Sequence, residues 1–217
     1  MMKRREFSKA ASIVLAGSAL ANTLTFAQAK KPVPGQHYVV LDRRAPVDAP
    51  AGTVEVIEFF WYSCPHCFTF DPFVSAWAKK LPKEVAFKRV HVAFRDDFVP
   101  QQRLFIALEA LGLVDKLHTK VFEAIHIQKL PLNTGAAIVD WVVAQGVDKE
   151  KFLAQYNSFG MGAKSSRSKQ LQDAYAIDGV PAMGIAGRFY TDVGKAGGND
   201  QSLQVTNYLI SEVRAGR

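Results

Sequence analysis

Residues 59–67 read Phe-Phe-Trp-Tyr-Ser-Cys-Pro-His-Cys, FFWYSCPHC, and hold both cysteines of a 217-residue chain. A structural disulfide stabilises mainly by closing a long loop in the unfolded chain, and two intervening residues close almost nothing. Structural zinc needs four ligands, usually with a second Cys or His pair at a defined spacing. No second CxxC exists, and His37, His91, His118 and His126 are scattered along the chain. A dithiol that forms and breaks one bond fits this spacing best.

The flanking sequence places the pair. Val54–Phe60, VEVIEFF, is rich in β-branched and aromatic residues, as in a strand buried on both faces. The run from Phe68 to Lys80 has Phe70, Phe73, Val74 and Trp77 at helical spacing. The cysteines therefore fall at a strand-to-helix junction. Cys64 is predicted at the N-cap and Pro65 at the first helical position, where a missing N–H costs nothing. Cys67 falls in the first turn. A helix N-terminus carries unpaired N–H donors and the positive end of the dipole, and both favour a thiolate on Cys64.

With these residues in view, the chain resembles the DsbA family of thiol:disulfide oxidoreductases in the thioredoxin superfamily. Glu58-Phe59-Phe60 and Cys64-Pro65-His66-Cys67 match its redox motif. Gly179-Val180-Pro181-Ala182-Met183 resembles its cis-proline loop. The resemblance runs over nearly the whole chain after its N-terminal segment. Pro72, inside the predicted first helix, lies five residues after Cys67, where thioredoxins carry a kink proline. The resemblance implies an α/β, thioredoxin-like fold with an inserted all-helical subdomain. It also implies a redox-active Cys64–Cys67 disulfide, with Cys64 attacking and Cys67 resolving. His66 would favour the Cys64 thiolate, and the Val180 backbone beside a cis Pro181 would pair with a bound peptide. Glu58 is an acid in an apolar strand. Its family counterpart is linked to proton movement near the second cysteine and has a basic partner on the next strand. That position aligns with Arg89, or one residue away with Lys88. Arginine stays charged, so it can pair with an acid but not shuttle a proton.

The N-terminus reads as an export signal. Lys3-Arg4-Arg5 precedes a small, apolar stretch from Ala10 to Ala21, too short to span a bilayer. Ala27-Gln28-Ala29 is an A-x-A site, so cleavage is predicted between Ala29 and Lys30. The start fits a Sec signal, and Lys3-Arg4-Arg5-Glu6-Phe7-Ser8-Lys9 also resembles a twin-arginine signal. Both routes leave the cytoplasm, and one CxxC without structural disulfides suits the periplasm. No later stretch offers 18 continuous apolar residues. From Lys30 onward, 23 basic residues face 19 acidic ones, a net of +4, which gives no reason to expect nucleic-acid binding. A monomer is expected.

Strands are predicted at His37–Leu41, Val54–Phe60 and Val85–Phe94. Helical periodicity follows in Gln101–Leu111, Val114–His126, Thr134–Gln145 and Asp148–Asn157, with Ser165–Ile177 as a long connector. Met183–Ile185 and Arg188–Thr191 return to strand, and Gln201–Arg214 closes as a helix. The domain reading is a signal peptide over 1–29, a discontinuous thioredoxin-like domain over 30–97 and 178–217, and a helical insert over 98–177. Trp141, Phe152, Leu153 and Phe159 read as core of the insert.

The expected function is oxidation of thiols in newly exported proteins. The resemblance implies reoxidation by a quinone-linked, DsbB-type membrane protein, without metal or organic cofactor. A disulfide reductase or isomerase on the same fold is the first rival. A peptide-binding chaperone with an incidental CxxC is the second.

Overall fold

The computed structural model describes residues 31–217. The predicted signal peptide lies outside them. Strand β1 (Val39–Val40) is followed by β2 (Val54–Phe60), helix α1 (Pro65–Ala78) and β3 (Val85–His91). A 3-10 turn (Asp96–Phe98) leads into α2 (Val99–Ala110), α3 (Val114–His126), α4 (Gly135–Ala144), α5 (Lys149–Tyr156) and α6 (Gly160–Ala174). The chain then returns through β4 (Ala182–Ile185), β5 (Phe189–Asp192), the single turn α7 (Val193–Ala196) and α8 (Asn199–Arg214). The α/β class expected from the sequence is present.

All seven residues of β2 are buried, because β2 is central in a sheet of order β1-β5-β4-β2-β3. It runs parallel to β3 and antiparallel to β4. The parallel register sets Glu58 opposite Arg89 and Phe60 opposite His91. Alternation along the strand sends its side chains to opposite faces. Val54 and Val56 pack with Phe70 and Val74 of α1 and Leu209 and Ile210 of α8. Ile57 and Phe59 pack with Leu171, Tyr175 and Ile177, at and just beyond the end of α6. A third cluster is built by α2 to α5, through Leu104, Leu108, Leu117, Phe122, Ile138 and Phe152. Phe60, Tyr62, Cys64 and Cys67 belong to this cluster, so the motif that ends β2 is embedded among the helices.

The long segment between β1 and β2 is held at the sheet edge by charge. Lys88 Nζ lies 2.7 Å from Asp48 Oδ2 and 2.9 Å from Glu55 Oε2. Arg167 of α6 also pairs with Asp48.

The structure departs from expectation at several ends. β1 has two residues rather than five, and β3 stops at His91 rather than Phe94. Helix α6 begins at Gly160, five residues before Ser165, with Met161 packed inward between Gly160 and Gly162. Phe159 is not a core residue. It is fully exposed, and its neighbours Tyr156 and Met161 take the inward positions.

Gly184 of β4 shows how tightly the sheet is packed. A Cβ there would stand 2.6 Å from the Tyr175 ring and 3.0 Å from the Phe59 ring. Tyr175 is fully buried and its hydroxyl accepts the Gly187 N–H at 2.8 Å, so it has little room to yield. Overpacking of this kind costs about 1–3 kcal/mol. Gly184→Ala is therefore expected to lower the denaturant midpoint by a corresponding amount, and an unchanged midpoint would show that Tyr175 can move aside.

Candidate active site

Helix α1 starts where the sequence places it. Cys64 is the N-cap with extended backbone, and Pro65 occupies the first turn. The Cys64 sulfur accepts the backbone N–H of Cys67 at 3.3 Å, the bond that an N-cap oxygen ordinarily makes. Both cysteines are free thiols in this structure. They are unequally placed: Cys64 is 7% exposed and Cys67 0%. Only the first offers any surface to an incoming group.

The two thiols are driven apart in acidity. Cys64 is lowered to about 6, first by a side-chain hydrogen bond from Cys67 and then by the N–H groups of Cys67 and His66. These outweigh the burial that opposes them. The ring charge of His66 is the smallest of the causes. Cys67 is pushed well above the ordinary thiol value by burial, and the neighbouring Cys64 adds to the push. A pair arranged in this way holds one thiolate and one thiol near neutrality, with the charge on the sulfur that solvent can reach.

Across from the motif, the Val180–Pro181 peptide is cis. The Cys64 thiol reaches the Val180 carbonyl at 3.4 Å. His66, Val180, Pro181, Tyr190 and Asp192 line a hollow of about 410 Å³ beside it.

Beneath the motif lies a charged cluster. Arg89 Nε donates to Glu58 Oε2 at 2.8 Å, whereas Lys88 points the other way, to Asp48 and Glu55. Adjacent strand residues face opposite sides of a sheet, so only one of the two basic residues can reach Glu58. Arg89 is shared with Asp71 of α1, whose Oδ1 lies 3.7 Å from Nη2. Asp71 also accepts the hydroxyls of Ser75 at 2.9 Å and Thr119 at 2.7 Å. Burial raises Glu58 to about 7, outweighing the pull of Arg89, with Asp71 adding to the rise. Glu58 Oε1 has no hydrogen-bond partner among the described residues. Sequence reasoning missed Asp71. Its spacing of four from Cys67 put it on the inward face of α1, where an acid needs partners.

The sequence also missed what holds the residues before Cys64. The Tyr62 N–H is accepted by His91 Nε2 at 3.3 Å, while His91 Nδ1 donates to the Val92 carbonyl at 2.8 Å. Gln101 Nε2 donates to the Ser63 hydroxyl at 2.7 Å.

Two buried groups make stability depend on pH in opposite senses. Glu58 has a folded pKa of about 7 against 4.5, so the native state keeps a proton that the unfolded chain loses. Stability from this group is full below pH 4.5 and falls as pH rises to 7. His91 is lowered from 6.5 to about 3 by burial. Its contribution is full above pH 6.5 and is lost as pH falls toward 3. Glu58→Gln removes the first slope alone. At one pKa unit per 1.36 kcal/mol, the variant is expected to exceed the parent at pH 8 by as much as about 3 kcal/mol. The gain should vanish near pH 4.5. Denaturant titrations across this range measure it, and parallel pH profiles for the two proteins would refute it.

Comparison with known proteins agrees with this geometry. The sequence model of the DSBA-like thioredoxin domain matches residues 55–209. The chain is 44% identical over 206 residues to the thiol:disulfide interchange protein DsbA of Burkholderia cepacia, covering 95% of this chain and 97% of the relative. It is 41% identical over 189 residues to the protein of the same name from Pseudomonas aeruginosa, covering 87% and 89%. The crystal structure of Pseudomonas aeruginosa DsbA matches with a TM-score of 0.81 at 41% identity, covering 84% of this chain and 94% of that one. The oxidoreductase DsbA from Xylella fastidiosa matches with a TM-score of 0.78 at 31% identity, covering 85% and 98%. Matched over most of its length in sequence and in structure, the chain belongs to the DSBA-like thioredoxin domain family.

Proposed function

We propose that this protein is a thiol:disulfide oxidoreductase that donates disulfides to exported proteins through Cys64 and Cys67. One observation carries the reading: the two thiols are displaced in opposite directions, and the acidic one is the less enclosed of the two. In the oxidised protein a substrate thiolate attacks the Cys64 sulfur and the Cys64–Cys67 bond breaks. Cys67 leaves with the electron pair and takes a proton, because its thiol is the more stable form at neutral pH. A second substrate thiolate then attacks the substrate sulfur of the mixed disulfide, and Cys64 leaves as a thiolate. The low pKa makes it a good leaving group. The substrate has lost two electrons and two protons. The enzyme holds both electrons and one proton, and the other proton goes to solvent.

Supporting roles follow from position. Val180, with its carbonyl beside Cys64, offers backbone to which an extended peptide can pair as an added strand. Such pairing reads no side chain and suits many substrates. Glu58, held near half-protonation, is the acid beneath the motif that exchanges protons with Cys67, and Arg89 keeps it paired when ionised. His66 tunes Cys64 chiefly through its backbone N–H, with a smaller part from its ring. Residues 98–177 act as a helical subdomain that covers one side of the motif.

The compartment is the periplasm, reached by the N-terminal signal, with cleavage after Ala29. The protein works as a monomer, and a DsbB-type membrane oxidase accepts its electrons. No helix among the described residues is long and apolar enough to cross a membrane.

Two outcomes test this reading. Cys67→Ser should accumulate mixed disulfides with exported proteins on non-reducing gels, and Cys64→Ser should not. Equal trapping would reverse the roles. The oxidised protein should also unfold at lower denaturant than the reduced one, because the thiolate favours the reduced fold, whereas an ordinary disulfide stabilises. The equilibrium constant with glutathione places it between oxidant and reductant. A value on the reducing side would favour the reductase or isomerase reading, and indifference of a folding assay to Cys64→Ser would favour a chaperone.

A further inference from the structure

Of the four histidines outside the redox motif, three converge on Tyr62, although they lie 29, 56 and 64 residues away from it. His91 accepts the Tyr62 N–H, and the ring of His118 bonds the Tyr62 hydroxyl at 3.0 Å. His126 Nε2 lies 2.8 Å from the Tyr62 carbonyl. A carbonyl only accepts, so His126 is the donor. All three polar groups of one residue are thus held by imidazoles.

The carbonyl contact differs from the other two. Cys64 N–H donates to the Trp61 carbonyl at 3.0 Å, which makes Trp61–Cys64 a β-turn with Tyr62 and Ser63 at its centre. The Tyr62 carbonyl belongs to the central peptide of that turn. Turns of types I and II differ by a flip of this one peptide. The hydrogen bond from His126 therefore fixes the single degree of freedom that sets how the turn delivers Cys64 to the N-cap. The same imidazole stacks on Phe68, with ring centres 4.9 Å apart and planes 7° from parallel. Tyr62 and Phe68 bracket the motif on either side.

We infer that His126, at the end of α3, is a positioning residue of the redox centre that pins the central peptide of the Trp61–Cys64 turn. The Cys64 sulfur keeps a low pKa only while it faces the Cys67 thiol and the N–H groups of Cys67 and His66. A turn free to flip lets it leave them for part of the time. His126 acts on the sulfur through the Tyr62 backbone alone.

The inference rests on Cys64 being the exchanging sulfur, and its test separates the two. His126→Phe keeps the stack on Phe68 and removes the donor. His126→Gln restores an N–H donor of similar reach. Thiolate absorbance against pH gives the Cys64 pKa, and equilibration with glutathione gives the redox constant. His126→Phe is expected to raise the pKa by about one unit and shift the constant about tenfold toward a weaker oxidant, equal to about 30 mV. His126→Gln should recover most of both. Tyr62→Phe, which removes only the hydroxyl bond to His118, should lower stability without moving the pKa. If His126→Phe lowers the denaturant midpoints of both redox forms equally and leaves pKa and constant unchanged, His126 is merely structural and the inference fails. It fails also if His126→Gln behaves like His126→Phe, or if Tyr62→Phe shifts the pKa as much. A parent protein that does not exchange with glutathione overturns both this inference and the functional reading beneath it.

Discussion

A sulfur in place of an oxygen at the head of α1 is the constraint on which the rest depends. The first N–H groups of any helix need acceptors, and here Cys64 supplies one. As a neutral thiol it is a weak acceptor. As a thiolate it is a strong one, because a hydrogen bond to an ionised group is about twice as strong as a neutral one. The helix is therefore better capped when Cys64 is charged, and the fold's own need for a cap becomes a force on the redox chemistry. That force acts only if β2 ends, the chain turns and α1 begins within a few residues. Burial of β2 on both faces fixes the first, the Trp61–Cys64 turn the second and Pro65 the third.

A buried acid beneath such a site looks like a liability. Taking a carboxylate out of water costs several kcal/mol unless a partner offsets it. Arg89 offsets part of that cost, but it is shared with Asp71. One guanidinium cannot fully compensate two carboxylates. Burial raises the pKa of Glu58 toward neutrality, and the uncompensated charge of Asp71 adds to the rise. Burial first, and the neighbouring Asp71 second, make it titratable in the range where thiol exchange operates.

Much of this was legible in the sequence because it depends on local rules. The strand VEVIEFF, the N-cap at Cys64, the proline at the first helical position and the Gly-Val-Pro loop each announce themselves within a few residues. Helices α3 and α4 were equally clear, since their apolar residues recur at helical spacing. What escaped was of two kinds. Short elements such as α7 carry too few residues for any period to show. Long-range polar pairings leave no local trace: nothing near His118 or His126 points to Tyr62, and although its spacing set Asp71 on the inward face of α1, nothing near it named Arg89 or Thr119 as its partners. Phe159 failed in the other direction. Its apolar character suggested the core, yet its place between two helices turns it outward, and apolar residues on surfaces are common enough that hydrophobicity alone cannot assign burial.

The two groups of ion pairs also differ in how they meet the solvent. Around Asp48, which is half exposed, the charges that fasten the segment before β2 lie within reach of mobile counterions. The Debye length is only about 8 Å at physiological ionic strength. Glu58 and Arg89 are far less open to solvent, with side chains 1% and 13% exposed. Added salt therefore weakens the strap along the sheet edge and leaves the central pair nearly untouched. As ionic strength changes, the periphery loosens and tightens while the pair beneath the thiols changes little. The redox centre is insulated from the composition of its surroundings by the same burial that makes its charges costly.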